Sequence, residues 1–362
     1  MNFGLSEDQV LLKDTVKRFL DEQCPPPRVR AIMETDSGHD AELWQALVDL
    51  GIAGLVIPAE LGGSGLELLD LALAAEELGY AATPGPFLGV AMATIALLEA
   101  GDTAQRARWL PRLASGDALA TIAFGEEDSE WDPARYTTRA ANAKLSGMKP
   151  FVPYAGIADA VIVAATDETG AGLWLVERGA PGVDITPLKG VDMTRRVDTL
   201  RFTETPATKL AGSAAAVQRT LDAGCVLIAA DAFGGSRRCL DMTVQYVMQR
   251  EQFGQVIGAF QAVKHQIANL AADLEPSLSL YWYAAYAFDR IRDKSERHAA
   301  MVKAHMSDLF DRAARDATEL HGGIGFTWEF DLHLWFRRSV FDRSFLGDAA
   351  FHRARAADLA GW

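Results

Sequence analysis

Hydrophobic spacing changes character twice along this chain of 362 residues. That double switch limits the fold more than any other feature. Up to about residue 118 apolar residues recur at helical intervals: Leu11, Leu12, Val16 and Leu20 share a face, and Leu68, Leu69, Leu71, Leu73 and Leu78 mark another helix. From about 119 to 208 the pattern shortens to strand-like runs at 160–165, 173–176, 182–185 and 199–202, set between Asp, Gly and Pro turns. Helical spacing then returns, with Leu240, Val244, Val247 and Met248 on one face and Ile267, Leu270 and Leu274 on another. The expected architecture is α+β and multidomain: an N-terminal helical domain (1–118), a middle β-barrel or sandwich (119–208) and a C-terminal helical bundle (209–362). The bundle helices around 240–248 and 262–278 carry apolar faces that predict association with another subunit.

Turn residues punctuate this order. Pro25-Pro26-Pro27 ends a helix, because proline lacks the amide donor and crowds the preceding turn. Gly62-Gly63-Ser64-Gly65 forms a loop. The start, MNFGLSEDQVLLKD, is acidic and amphipathic, unlike a secretion signal, and no run of apolar residues is long enough for a membrane helix. Cys24, Cys225 and Cys239 lack metal-type or paired spacing and fit a reducing cytoplasm. The net charge of −14 argues against nucleic acid but leaves room for an anionic cofactor held locally.

Motifs in all three zones carry a resemblance. Pro58-Ala59-Glu60-Leu61-Gly62-Gly63-Ser64-Gly65-Leu66, followed by Glu76-Glu77-Leu78-Gly79, stands in the first zone. Leu145-Ser146-Gly147-Met148-Lys149 and Ala158-Asp159 stand in the second. Arg250-Glu251-Gln252-Phe253-Gly254 through Gln261, and His321-Gly322-Gly323-Ile324-Gly325-Phe326, stand in the third. In this order and spacing they resemble the FAD-dependent acyl-CoA dehydrogenase family over essentially the whole chain. The resemblance implies the family fold, with a C-terminal four-helix bundle.

It also implies a cofactor clamp. In the family the third-zone motifs reach FAD held by a neighbouring subunit. Arg250 would meet the pyrophosphate with a planar fork; Phe253 would pack beside the adenine-side half with the Gln261 amide near it, and Gln252, Ile257 and Phe260 would also bind the cofactor. Gly322 and Gly323 would let backbone amides approach phosphate closely. Glu319 stands where the family has glutamine, which removes an amide donor. The plainer alternatives are a helix C-terminal cation at Arg250 and a simple C-cap at the glycines.

The family's base is missing. Its usual slot reads Phe345-Leu346-Gly347-Asp348, and the alternative slot on the first long bundle helix reads Gly224. Neither Leu346 nor Gly224 can accept the α-proton of a thioester. Asp348 is the weak substitute, with helix capping its plainer role; Glu329 and Asp331 are further carboxylates. The flavin platform is altered too: Phe124 to Trp131 replaces a glycine-serine turn, and Phe151-Val152-Pro153 replaces a Trp-Ile-Thr segment. Residues serving the chain's own pocket are lost, whereas those reaching a neighbour's remain. The resemblance therefore points to the non-catalytic subunit of an α2β2 acyl-CoA dehydrogenase like those of actinobacterial steroid side-chain degradation, with a catalytic acyl-CoA dehydrogenase subunit as partner. The alternatives are a self-sufficient homo-oligomer and an FAD-free scaffold.

Overall fold

The structure, a computed structural model, describes residues 4–212 and 214–362. Met1 to Phe3 of the acidic start, and Ser213, lie outside the described residues. The first helical region contains α1 (Glu7–Gln23), α2 (Pro26–Met33), α3 (Ala41–Asp49), α4 (Leu68–Tyr80), α5 (Phe87–Ala100) and α6 (Thr103–Ala114). The proline cluster both ends α1 and opens α2, since Pro26 occupies a first-turn position where no amide donor is needed.

The middle region contains β1 (Ala120–Ala123), β2 (Arg139–Ala141), β3 (Lys144–Pro153), β4 (Ala160–Asp167), β5 (Gly170–Glu177), β6 (Val183–Leu188), β7 (Val197–Pro206) and β8 (Thr208–Lys209). They join in one sheet of order β6-β7-β3-β2-β4-β5-β8, with β1 parallel to β4. The β3–β7 register shifts between Lys149 and Val152, and Phe151 there has φ 59°. Such a bulge re-aims a side chain; here it brings Phe151 against Trp131 on the way to the bundle.

The C-terminal region contains α7 (Ala214–Gln249), a hairpin of β9 (Glu251–Gln252) and β10 (Gln255–Val256), α8 (Gln261–Arg290), α9 (Arg292–His321), α10 (Leu332–Ser344) and α11 (Ala349–Asp358). Of the face expected on α7, Val247 is buried, but Val244 is 40% and Met248 62% exposed. The N-terminal half of α8 is likewise largely open, with Leu270 and Leu274 turned inward. Among the described residues no helix is long and apolar enough to cross a membrane, and no cluster of His, Cys, Asp and Glu could hold a metal.

Two junctions lock the regions together. Where α4 crosses α7, a Cβ at Gly79 would fall 2.1 Å from the Asp231 carbonyl oxygen, and one at Gly234 would fall 1.9 Å from that of Glu76. Glycine at both points lets the backbones touch. Buried Glu76 and Glu77 of the same crossing accept from Arg237 at 2.6 and 2.8 Å, and Tyr281 donates to Glu76. The second junction centres on Arg338, which is wholly buried. It donates to Asp192 (2.8 Å), Asp231 (3.1 Å), the Thr83 carbonyl (3.1 Å) and Thr194 (2.5 Å), joining α10 to the β6–β7 loop, α7 and the end of α4. Arg195 adds a 2.5 Å contact to Asp231.

Two arginines there balance two carboxylates, and Asp342 is a third. It is buried, and its protonated carboxyl donates to Asp231. Burial and the adjacent Asp231 charge push its pKa well up, so it stays protonated. The folded chain thus holds this proton more tightly than the unfolded chain. The stabilisation is complete below the ordinary carboxylate range and falls as pH rises toward the folded value. Asp342→Asn, a mimic of the neutral acid, should gain stability relative to the parent as pH goes from 5 to 8. Thermal unfolding of both proteins across that range measures the difference; a constant gap would contradict it.

Candidate functional site

Leu346 and Gly224 converge. A Cβ built on Gly224 in α7 would fall 2.6 Å from Leu346 Cδ1 and 2.5 Å from Met92 Cε of α5. The two positions where the resemblance expects a base thus face the same point from opposite elements, and apolar atoms occupy it. The turn carrying Leu346 is unusual: Leu346 has φ 62° and Gly347 φ 99°. Left-handed backbone is costly for leucine. It is held by Lys303, a buried lysine of α9 that donates to the carbonyls of Asp342 and Gly347 at 2.8 Å each. Burial brings the Lys303 pKa down to about 8. His352 of α11 holds the turn from the other side, donating from Nε2 to the Leu346 carbonyl at 2.8 Å. Neither Lys303 nor His352 stood out in the sequence, because each lies on an ordinary helix and its role comes from burial against the turn.

Asp348 occupies an N-cap. Its Oδ1 accepts from the Phe351 amide at 2.8 Å and opens α11. Its carboxylate serves the helix end rather than the space beside Leu346 and Gly224. Asp331 is likewise engaged, accepting from Arg30 at 2.6 Å.

Between the sheet and the bundle, aromatic rings close the seam. Trp131 lies edge-on to Phe345 at 5.1 Å and stacked on Phe151 at 6.3 Å, and Phe345 stacks on Phe341 at 4.9 Å. An apolar cavity of about 300 Å³ remains beside them, reaching Val191 and Val197. Pro153 offers no amide donor, and its carbonyl already accepts from Thr121 at 2.6 Å. The altered segment 124–131 is anchored by Glu126, a buried carboxylate bonded to Lys149 at 2.6 Å and Thr137 at 2.6 Å. Burial lowers the Lys149 pKa to about 8.

The clamp candidates cluster at the open rim of the bundle. Arg250 follows the last turn of α7 with an exposed side chain. Its carbonyl accepts from the Ile257 amide at 2.8 Å, which closes the β9–β10 hairpin. Phe253 and Gly254 form the tip with φ of 55° and 81°, the two positive values of a tight hairpin turn. Phe253 is 92% exposed, touched edge-on by Phe260 at 6.1 Å. Gln252, Gln261 and Glu319 are exposed, and Ile257 is half-buried. Gly322 caps α9 with φ 63° and ψ −144°, a region open to little but glycine. Gly323 lacks that constraint, and a Cβ there would meet nothing within 4 Å. Nothing within the chain requires glycine at 323, so the space above it suits a group brought from outside.

Comparison with known proteins identifies the family. Residues 6–117 match the model of the acyl-CoA dehydrogenase N-terminal domain, and residues 212–360 match that of the C-terminal domain. The curated acyl-CoA dehydrogenase IpdE2 of Mycolicibacterium smegmatis is 34% identical over 347 residues, covering 95% of this chain and 96% of that protein. The chain belongs to the acyl-CoA dehydrogenase family. Among solved structures, the Tcur3481-Tcur3483 steroid ACAD matches with TM-score 0.92 and 30% identity, over 98% of both chains. The ChsE4-ChsE5 complex from Mycobacterium tuberculosis matches with TM-score 0.91 and 27% identity, over 100% of this chain and 99% of that one.

Members of the acyl-CoA dehydrogenase family are FAD-dependent flavoproteins. An exposed arginine beside an open glycine turn fits the phosphate half of such a cofactor. The aromatic seam does not fit the flavin ring, whose polar edge finds no donor at Pro153. Gly323→Ala should leave the thermal midpoint of the isolated chain unchanged and lower the flavin content of the assembled protein. Gly322→Ala should cost the isolated chain about 1–3 kcal/mol, the range for a forced backbone conformation. Denaturation and absorbance near 450 nm measure the two effects separately; a stability loss in Gly323→Ala would place that glycine in the chain's own packing.

Proposed function

We propose that this chain is the supporting subunit of a heteromeric FAD-dependent acyl-CoA dehydrogenase. One observation carries the reading: both base positions meet in a packed apolar point while the clamp residues stand exposed at the rim. Arg250, Phe253, Gln261 and the turn at Gly322 would hold FAD seated mainly in a catalytically complete partner. There the flavin supplies the hydride acceptor and the partner supplies the base. Exposed Val244, Met248, Phe253 and Phe326 on the same rim support a partner that covers them. The steroid ACAD relative supports an acyl-CoA thioester bearing a steroid-derived group as the substrate of the assembly.

Co-expression with a catalytic subunit should give one FAD per heterodimer, whereas the chain alone should purify without flavin. Stoichiometric flavin in the isolated chain would sink the reading. In the assembly, Arg250→Ala removes a charge-assisted phosphate contact worth about 1.5–3 kcal/mol. That is roughly a 10- to 150-fold weaker hold on FAD, since 1.4 kcal/mol is tenfold. Flavin content after extended dialysis reports it; unchanged content would remove Arg250 from the clamp.

A further inference from the structure

The aromatic seam between the sheet and the bundle encloses space that the fold does not fill. The cavity of about 300 Å³ there is walled by the rings of Trp131, Phe151, Phe341 and Phe345, with Val191 and Val197 completing it. Solvent reaches this lining: Val191 is 55% exposed, and Phe151 and Phe341 are half-buried.

Two parts of the wall are carried by costly backbone. Phe151 has φ 59° within the β3–β7 bulge, and Leu346, next to Phe345, has φ 62°. Bulky residues rarely adopt left-handed backbone. Where they do, the surroundings over-determine it, and such positions cluster at ligand clamps. A seam with no occupant would gain contacts if these rings closed the space. Instead the two strained positions hold them as a wall around it.

The polar groups of the lining are already engaged. Asp192 accepts from Arg338 at 2.8 Å and from the Thr194 amide at 2.9 Å. The Ser344 hydroxyl donates to the Val340 carbonyl at 3.1 Å. Lys189 is exposed, so its ammonium stays in water. A polar group carried inside would lose its water and find no partner. An aromatic ring, by contrast, meets other rings in stacked or edge-on contacts that add to burial. Trp131 already takes both, stacked on Phe151 at 6.3 Å and edge-on to Phe345 at 5.1 Å.

From these features we infer that the cavity binds a neutral aromatic molecule whose buried part carries no hydrogen-bonding group. None of Arg250, Phe253, Gln261 and Gly322 lines it. The site is therefore separate from the flavin clamp and does not depend on the proposed function.

The test titrates the full chain by calorimetry with three probes of one skeleton: p-xylene, 1,4-benzenedimethanol and terephthalate. The polar probes carry their groups at both ends, so at least one group is buried whichever end enters first. One p-xylene should bind per chain, at least about tenfold tighter than the diol, whose buried hydroxyl goes unpaired. Terephthalate should bind more weakly than either, because its charge is desolvated without a partner. Excess riboflavin should not displace p-xylene. Val191→Trp and Ser344→Trp each add an indole at an exposed lining position. Both should keep the parent's thermal midpoint and lose most of the affinity for p-xylene. No p-xylene binding by the parent chain, a diol or dicarboxylate bound as tightly, displacement by riboflavin, or full affinity in both indole variants would each overturn the inference. The probe comparison needs no variant, so a fold that rejects either indole leaves the test intact.

Discussion

Purified alone, the chain is expected to oxidise acyl-CoA thioesters at least about 10²-fold more slowly than a family member with its glutamate in place. General base catalysis contributes roughly 10²–10⁴-fold, and on the proposed reading neither Leu346 nor Gly224 can supply it. Leu346 Cδ1 and Met92 Cε crowd the position from which a carboxylate would reach the substrate. The nearest acid by sequence, Asp348, spends its oxygen on the Phe351 amide. Restoring the residue by Leu346→Glu should not restore turnover. The new carboxylate would sit at 1% exposure on a left-handed turn, where burial holds it protonated. Trp131, Phe151 and Phe345 would still close the flavin seat. A dye-linked assay on the isolated chain, with FAD added, measures this. Rapid turnover that Asp348→Ala abolishes would establish a self-sufficient enzyme instead.

Arg338→Met should cost about 3–5 kcal/mol of stability, the usual loss when one member of a buried charge network is removed. The side chain is wholly buried, and it alone spans Asp192, Asp231 and Thr194. Its loss leaves Arg195 on Asp231 and takes away the cation paired with Asp192, with Asp342 adjoining. An uncompensated buried carboxylate must then take up a proton or open the junction. Urea titration gives the size of the loss. The double variant Arg338→Met with Asp192→Asn should recover part of it. A midpoint within about 1 kcal/mol of the parent would mean the network is replaceable by packing alone.

The sequence by itself determined the order of elements and the family. Both follow from local signals: apolar period, turn residues, and glycines that permit particular backbone geometry, as at Gly79 and Gly322. It also places leucine at 346 and glycine at 224, the positions where the resemblance expects a base, since that is a matter of which residue stands there. The tertiary structure decided what each absence means. Only the fold brings Gly224 and Leu346, 122 positions apart by number, to one point. Only the fold turns Phe151 through a bulge onto Trp131, and shows that Asp348 caps a helix. His352, Lys303, Arg338 and Asp342 carried no signal in the chain. Their roles depend on burial and on partners from distant elements, and burial of a polar group is set by what packs over it. The expected apolar face of α7 shows the same division: period placed Val244, Val247 and Met248 together, but neighbouring helices buried only Val247. A helix's own residues fix which side is apolar, while the surrounding elements fix how much of that side is left for a partner to cover.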